Sequence, residues 1–273
     1  MIAAVDRAFV AALCLARAGL KVDAEKAYLI ESRLAPVARR EGFSSPEEFI
    51  GRLRDGGGDD RLNWAIVEAI ALPESEFLRD HAVFEALVHD VIPTLVRQRA
   101  GAPVRVWSTA CGTGQEIYSL AMMIADTPTL AGKVELFASD LSERSLEKAQ
   151  SGVYSQFEVQ RGLPARTLVR HFEKDGESFV LSPRIRQMIR WRRVNLVDDL
   201  GRFGQFDLLL CRNVLTQMAP EAQARVIGQL KQALAPGGRL ALGLKEEAGG
   251  ELTPLAGGFG LFALPQDAVR TAA

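Results

Sequence analysis

The sequence predicts an α/β fold, in which a doubly wound and mainly parallel sheet follows an all-helical N-terminal domain. Three patterns support this expectation. Residues 1–98 show helical periodicity interrupted by glycine and proline breaks. Residues 104–108 form a short β-branched and aromatic run that breaks at glycines into a helical pattern. From there to residue 244, strand-like runs alternate with helical ones, which is the order of a parallel sheet with crossover helices.

Composition is that of a globular protein. The 273 residues carry a net charge of −1, and no apolar run approaches the length of a membrane span. The three cysteines have no metal-binding spacing, and the three histidines form no cluster with them. We therefore expect no zinc site, no other metal and no disulfide framework, and we predict a reducing compartment, the cytoplasm.

Four helices are predicted before residue 72, and local signals mark their ends. Their ranges are 6–18, 23–40, 46–55 and 61–71. Gly19 and Gly42 end the first two helices. Before the third, a serine at the N-cap precedes Pro46 and two acidic residues, the usual order at a helix start.

The second predicted helix carries a basic stripe. Lys26, Arg33 and Arg40 recur every seven residues, with Arg39 beside them. Such a stripe is ordinarily a solvated face; the functional alternative is a surface that docks an acidic helix. Residues 1–98 hold 12 basic and 16 acidic side chains, so bulk charge does not indicate nucleic-acid binding.

A short linker precedes the next predicted helix, 81–99. Pro73 ends the helix before it, and Glu74 or Ser75 is expected to cap the helix after it. Arg79 would then lie near the first turn, where a positive charge opposes the helix dipole. We therefore expect Arg79 to be paired or to meet a ligand, although an exposed arginine is an acceptable alternative.

The glycine turn after residue 108 indicates a nucleoside site. Gly112 and Gly114 let the backbone approach a ligand, and Asp140 ends the next predicted strand, where a carboxylate can accept ribose hydroxyl protons. The third glycine of a dinucleotide site is missing, and Glu116 would repel a phosphate. S-adenosylmethionine (SAM), a nucleoside with a cationic end, fits better. An ordinary tight turn is the alternative.

Further along the chain, the segment 151–193 is broken by glycines and prolines. Residues 179–181 look like a short strand within it. From residue 161 to 193 there are nine basic and three acidic side chains, which fits a solvated surface, a receptor-facing surface or, less well without stacking aromatics, RNA.

The sheet is predicted to resume after this segment. Strands are expected over 189–194, 206–210 and 239–244, with a helix over 220–234. The polar residues just beyond strand ends are Glu116, Asp140, Asn195, Arg212 and Asn213. Carboxyl ends of parallel strands share one rim of a sheet, so these residues are predicted to form a ligand site there.

Several sequence blocks resemble one family across nearly the whole chain. The blocks are W-S-T-A-C-G-T-G-Q-E-I-Y-S-L-A-M, A-S-D-L-S-E-R-S-L-E-K-A-Q-S-G-V-Y, F-D-L-L-L-C-R-N-V-L and L-A-P-G-G-R-L. They look like the CheR family of chemoreceptor glutamate methyltransferases. The resemblance implies a monomeric, SAM-dependent O-methyltransferase that acts on glutamates of receptor cytoplasmic helices. It also implies a helical receptor-contacting domain, about 1–80, and a catalytic domain, 81–273, with an inserted β-subdomain at about 154–186.

The resemblance also assigns roles to residues. The positions that match the family's cofactor site are Ser75, Arg79, Glu116, Asp140, Asn195, Leu196, Arg212 and Asn213, beside the turn glycines Gly112 and Gly114. The basic residues Lys26, Arg33, Arg39 and Arg40 fall where the family's helix faces the receptor. Arg79 is expected to orient the substrate carboxylate.

Three positions depart from the family. Pro73 stands in place of an asparagine, Gln217 in place of a tyrosine near the methyl group, and Leu244 in place of a histidine. Gln217 would supply only the hydrogen-bonding part of that tyrosine. These departures favour one alternative, a catalytically weakened SAM- or receptor-binding regulatory paralogue. The basic run over 161–193 suggests a second alternative, a nucleic-acid methyltransferase. Against the latter, the strand ending at residue 210 continues as C-R-N-V and not as a proline-proline-aromatic loop.

Overall fold

The computed structural model describes residues 2–56, 59–71, 75–250 and 252–265, so Pro73 and Glu74 lie outside the described residues. The chain divides into two compact units. The helical unit comprises Met1–Leu72 with Leu215–Arg225, and the sheet unit comprises Pro73–Val214 with Val226–Ala273. Within the described residues, no helix has the length and apolar character to cross a membrane.

The helical unit is built from four helices and a returning segment of chain. The helices are α1 (Ala4–Ala18), α2 (Ala27–Arg40), α3 (Pro46–Arg54) and α4 (Asp60–Ile70). Buried side chains such as Leu34 and Phe49 form its interior. The predicted cap of α3 is confirmed, because the Ser45 side chain accepts a hydrogen bond from Glu48 N at 3.2 Å. Leu20 pairs with Met218 in an antiparallel bridge, which joins the segment 215–225 to this unit.

The start of α2 differs from the prediction. The Asp23 carboxylate accepts the backbone N–H of Glu25 at 3.1 Å, and the Lys26 N–H donates to Asp23 O at 3.2 Å. This local turn competes with a helix, so α2 begins at Ala27 and Lys26 occupies its N-cap position. The basic stripe therefore begins one residue ahead of the helix that was predicted to carry all of it.

The sheet unit contains the predicted doubly wound, mainly parallel sheet. Its parallel strands are β1 (Val104–Ser108), β2 (Val134–Asp140), β6 (Ile189–Arg193), β7 (Phe206–Cys211) and β8 (Leu234–Leu242). Two short antiparallel strands follow, β9 (Thr253–Pro254) and β10 (Leu261–Ala263). The spatial order is β6-β2-β1-β7-β8-β10-β9. All residues of β7 are buried, as expected for a central strand. The strand order reverses direction at β1, the position where a ligand crevice is expected in such a sheet.

Helices precede this sheet and connect its strands. They are α5 (His81–Ala86), α6 (Ile92–Gln98), α7 (Gln115–Ala125), α8 (Glu143–Ser151) and α12 (Pro220–Ala233). Ser142 caps α8, since its side chain accepts a hydrogen bond from Ser145 N at 3.2 Å. A π-helical turn, Leu87–Val91, joins α5 to α6. Pro93 lacks the N–H that would continue a regular ladder there, which accounts for the interruption.

The broken segment of the sequence forms a small antiparallel sheet with its own helices. Its strands, in spatial order, are β3 (Val153–Ser155), β5 (Ser178–Leu181) and β4 (Phe172–Asp175). Its helices are α9 (Gln156–Gln160), α10 (Ala165–His171) and α11 (Pro183–Arg186). The Tyr154 hydroxyl of β3 donates to Thr113 O at 2.7 Å, so this small sheet contacts the glycine turn.

The small sheet also packs on the segment that leads into α5. The Phe77 ring meets the rings of Tyr154 and Phe172 edge-on, with centroids 5.0 and 5.8 Å apart. Arg161 and Glu76 form an ion pair at 3.1 Å. A Cβ added to Gly162 would lie 1.9 Å from Phe77 O, so only glycine permits this backbone approach.

We predict that Gly162→Ala lowers the free energy of unfolding much more than Gly176→Ala. Both glycines have positive φ, 99° and 56°, but nothing lies within 4 Å of a Cβ at Gly176. Strain alone should cost about 1 kcal/mol at Gly176, and strain plus overpacking about 2–5 kcal/mol at Gly162. Urea unfolding of both variants measures the difference; equal losses would contradict the close packing on Phe77.

Candidate functional site

The predicted site residues of the sheet unit converge at the carboxyl ends of its parallel strands. Asp140 is the last residue of β2, and Arg212 directly follows β7. Glu116 lies in the first turn of α7, directly after the glycine turn that follows β1. Their arrangement decides what this rim can bind.

Asp140 fastens the glycine turn to β2. Its Oδ2 accepts the backbone N–H of Gly112 at 2.8 Å, and its Oδ1 accepts that of Ser142 at 2.9 Å. Gly112 has a φ of 55°. A carboxylate oxygen can accept more than one hydrogen bond, so the same group remains suited to a ribose hydroxyl.

Gly114 has a packing role that the sequence did not indicate. Its φ is 90°, and an added Cβ would lie 2.9 Å from the Ala149 Cβ on α8 and 3.2 Å from the Tyr118 ring. The turn therefore sits directly against α8 and α7. A side chain here would move the loop whether or not a ligand were bound.

The strongest electrostatic feature of the site is an arginine between two acids. The Arg212 side chain is 0% exposed; its Nη1 lies 2.9 Å from Glu116 Oε2 and its Nη2 lies 2.6 Å from Asp80 Oδ2. Both nitrogens also donate to the Arg79 carbonyl at 3.3 Å. Burial raises the pKa of the Glu116 carboxyl above its ordinary value, while Arg212 and the Ser108 hydroxyl oppose that rise.

The start of α5 at His81 agrees with the predicted helix 81–99, but its N-cap residue differs from the prediction. The N-cap position is occupied by Asp80 and not by Ser75, while Glu74 lies outside the described residues. Arg79 therefore precedes the helix and does not lie in its first turn. Both Ser75 and Arg79 are half-buried in the sheet unit. Asp80 was missed from the sequence, where the only signal is an acid next to Arg79.

A second missed acid closes the other side of the rim. Glu246 is buried, and its Oε2 accepts the backbone N–H groups of Asn213 at 2.7 Å and of Gly243 at 2.8 Å. Asn213 has a φ of 60°, which asparagine tolerates better than most residues. The predicted strand 239–244 ends at Leu242, so Leu244 falls in the following turn and is 50% exposed.

Asn195 and Leu196 form the loop after β6. The Asn195 Oδ1 accepts the Val197 N–H at 3.4 Å, and the buried Leu196 has a carbonyl that accepts from Gln229 of α12 at 3.2 Å. Gln229 Oε1 in turn accepts the Leu200 N–H at 2.9 Å. This loop is thus held in place by the helix that precedes β8.

The remaining predicted residues belong to the helical unit. Gln217 is half-buried there, and its carbonyl accepts the Lys21 N–H at 2.8 Å. In the basic stripe, Arg33 donates to Ile70 O at 2.6 Å, Arg40 pairs with Glu41 at 3.1 Å and Lys26 pairs with Asp23 at 3.4 Å. Arg39 is exposed.

The rim fits the cofactor that the sequence predicts. The side chains placed at it include four acids, Asp80, Glu116, Asp140 and Glu246, and one arginine, Arg212. This excess of negative charge suits a cationic sulfonium and disfavours a phosphate. Within the described part of the chain, the Arg212 Nε is buried without a hydrogen-bond partner, which leaves one donor at the site unused.

Comparison with known proteins gives consistent matches. Residues 73–254 match the family model described as CheR methyltransferase, SAM binding domain. The chain is 34% identical to chemotaxis protein methyltransferase 1 of Pseudomonas aeruginosa over 84% of this chain and 85% of that protein. It is 32% identical to chemotaxis protein methyltransferase Cher2 of Pseudomonas putida, over 85% and 86%. The chemotaxis protein methyltransferase of Vibrio parahaemolyticus is 33% identical, over 85% of each chain.

The raised pKa of Glu116 predicts that cofactor binding weakens on acidification at a higher pH than for an ordinary glutamate. As the pH falls through a raised pKa, the carboxyl takes up a proton and its ion pair with Arg212 is lost. Calorimetric titration with S-adenosylhomocysteine between about pH 5 and pH 8 should show affinity falling toward the acid end.

Glu116→Gln should bind about tenfold more weakly at the alkaline end and show little dependence on pH. The exposed Glu147 on α8 offers a matched control, since Glu147→Gln should leave both affinity and slope unchanged. A Glu116→Gln profile that parallels the wild-type profile would contradict this role.

Proposed function

The chain belongs to the CheR methyltransferase family, and from that premise we propose that it methylates glutamate side chains on the cytoplasmic helices of chemoreceptors. It is a SAM-dependent methyltransferase of chemotaxis. The observation that carries the proposal is the buried Arg212, which ties Glu116 and the segment of Arg79 to the strand-end rim. A fixed rim of this kind supports alignment, which is what the reaction requires.

Methyl transfer to a carboxylate requires few catalytic groups from the protein. When bound, SAM supplies an electrophilic methyl group that an ionised carboxylate can take directly, so no general base is required. Asp140 would accept hydrogen bonds from the ribose, and the acidic rim would face the cationic centre. Arg79 would orient the substrate carboxylate, and Gln217 would supply the hydrogen-bonding part of the family's tyrosine. Catalysis then consists of alignment and the exclusion of water.

The regulatory-paralogue alternative is not favoured by relatives that are named methyltransferases. Of the three departures from the family, Pro73 lies outside the described residues and Leu244 is exposed beyond the end of β8. The basic run over 161–193 gives little support to the nucleic-acid alternative, because several of its arginines are paired with carboxylates. The pairs are Arg161 with Glu76, Arg170 with Asp126 and Arg190 with Glu135.

We predict that Arg79→Ala lowers kcat for methyl transfer about 100-fold, because a misplaced substrate carboxylate loses its alignment. Tritium transfer from labelled SAM to a purified receptor cytoplasmic fragment measures the rate. Arg97→Ala, at an exposed arginine of α6, is the matched control and should leave kcat unchanged.

Two results would count against these assignments in different ways. Wild-type protein that binds S-adenosylhomocysteine but transfers no methyl group to receptor would favour the regulatory paralogue. Transfer by Arg79→Ala at the wild-type rate would leave the enzyme in place and remove Arg79 from its role.

We also propose that the basic residues of the helical unit face the receptor. Arg33 is a poor probe of that contact, since its guanidinium holds the end of α4 through Ile70 O. Arg39 is exposed and is the better probe. Arg39→Glu should weaken binding of the receptor fragment about twofold to fivefold at low salt and less at high salt.

Arg52→Glu on α3 makes the same charge change at another exposed arginine of the helical unit and is the control. Fluorescence anisotropy of a labelled receptor fragment at two salt concentrations compares the variants. Equal affinities for Arg39→Glu and the control would rule out this docking face.

A further inference from the structure

The backbone on both sides of Arg79 is unusual. Leu78 and Asp80 have φ of 51° and 58°, in the left-handed region that residues other than glycine seldom occupy. Within the described residues, the positive-φ positions other than glycine are Leu78, Asp80, Ala100 and Asn213, so two of the four flank Arg79. A backbone of this kind persists only where its surroundings hold it.

Several contacts hold this backbone, among them the bond from the Val83 N–H to Asp80 O at 2.8 Å. The Leu78 N–H donates to Ser119 Oγ on α7 at 2.9 Å. The Arg79 carbonyl accepts two hydrogen bonds from Arg212, each at 3.3 Å. The Asp80 carboxylate lies 2.6 Å from Arg212 Nη2. A single guanidinium, that of Arg212, therefore contacts both Arg79 and Asp80.

The Asp80 carboxylate binds this guanidinium and does not cap its own helix. Aspartate at an N-cap position usually accepts a backbone N–H of the first turn, but the Asp80 side chain makes no such bond in α5. Its carboxylate instead joins Glu116 in neutralising Arg212, whose side chain is fully buried. Removing one partner of a buried charge is costly, so the pair resists loosening.

We propose that Asp80 is a positioning residue for methyl transfer, whose carboxylate acts through Arg212 to fix the backbone from which the Arg79 side chain projects. This inference rests on the proposed function, in which Arg79 orients the substrate carboxylate. Asp80 acts through its neighbours and not on the reacting atoms. Its effect should therefore appear in kcat and depend on the presence of Arg79.

Two variants separate the carboxylate from the backbone strain. Asp80→Gly accepts the left-handed backbone and removes the carboxylate, whereas Asp80→Asn tolerates the same backbone and keeps an oxygen that can accept from Arg212. Asp80→Gly should lower kcat about 10- to 100-fold with KM for the receptor fragment within about twofold. Asp80→Asn should restore kcat to within about threefold of wild type.

Ala100→Gly is the matched control, because Ala100 is exposed and has a φ of 47°. It should leave kcat unchanged. If Asp80→Gly also leaves kcat unchanged while wild type transfers methyl groups, the positioning role is overturned and the proposed function stands.

A double-variant cycle tests the route through Arg79. In an Arg79→Ala background, Asp80→Gly should lower kcat no further, because the group that it positions is already gone. An additional loss as large as that in the wild-type background would overturn the inference.

Hydrogen exchange of residues 76–83 tests the positioning without reference to activity. Asp80→Gly should speed exchange of this peptide about tenfold or more, while Asp80→Asn and Ala100→Gly should not. Unchanged exchange in Asp80→Gly overturns the inference. A wild-type protein that transfers no methyl group, with faster exchange in Asp80→Gly, defeats the proposed function and supports the positioning of the segment by Asp80.

Discussion

One buried guanidinium organises the site. A charge without access to solvent persists only when carboxylates and carbonyls surround it, and the fully buried Arg212 has both. It follows β7, which lies between β1 and β8, so the sheet sets its position. The first turn of α7 and the segment that leads into α5 are then drawn to it through Glu116 and Asp80. The end of β7, the first turn of α7 and the segment before α5 are distant in sequence, and they meet because each supplies a group to this one ion-pair cluster.

Most of the rim could be predicted from local sequence. A strand-like run that ends in a polar residue marks both the strand and its carboxyl end, and this pattern alone predicts that Glu116, Asp140 and Arg212 share one edge of the sheet. The doubly wound sheet follows from the same alternation. Such features are predictable because periodicity and strand ends are properties of short stretches of chain.

The features that could not be predicted from the sequence depend on tertiary contacts or on local hydrogen bonds that compete with a helix. The carboxylate of Asp80, the N-cap residue of α5, pairs with Arg212, a contact between residues 132 positions apart. The late start of α2 depends on Asp23, whose carboxylate accepts the backbone N–H of Glu25. Hydrophobic periodicity does not predict such a bond. Gly114 is required by α8, far along the chain. The sequence places Arg33 in a charged stripe, and only the structure shows that its guanidinium donates to the carbonyl of Ile70.

The packing of the small antiparallel sheet on Phe77 limits how the protein can be recombined. Gly162 packs against the Phe77 carbonyl, and the rings of Tyr154 and Phe172 pack against the Phe77 ring. A chimera that exchanged only the small sheet for that of a relative would break this contact two residues from Arg79. The exchangeable module is therefore the small sheet together with residues 76–80, and divergence in one part should constrain which changes the other can accept.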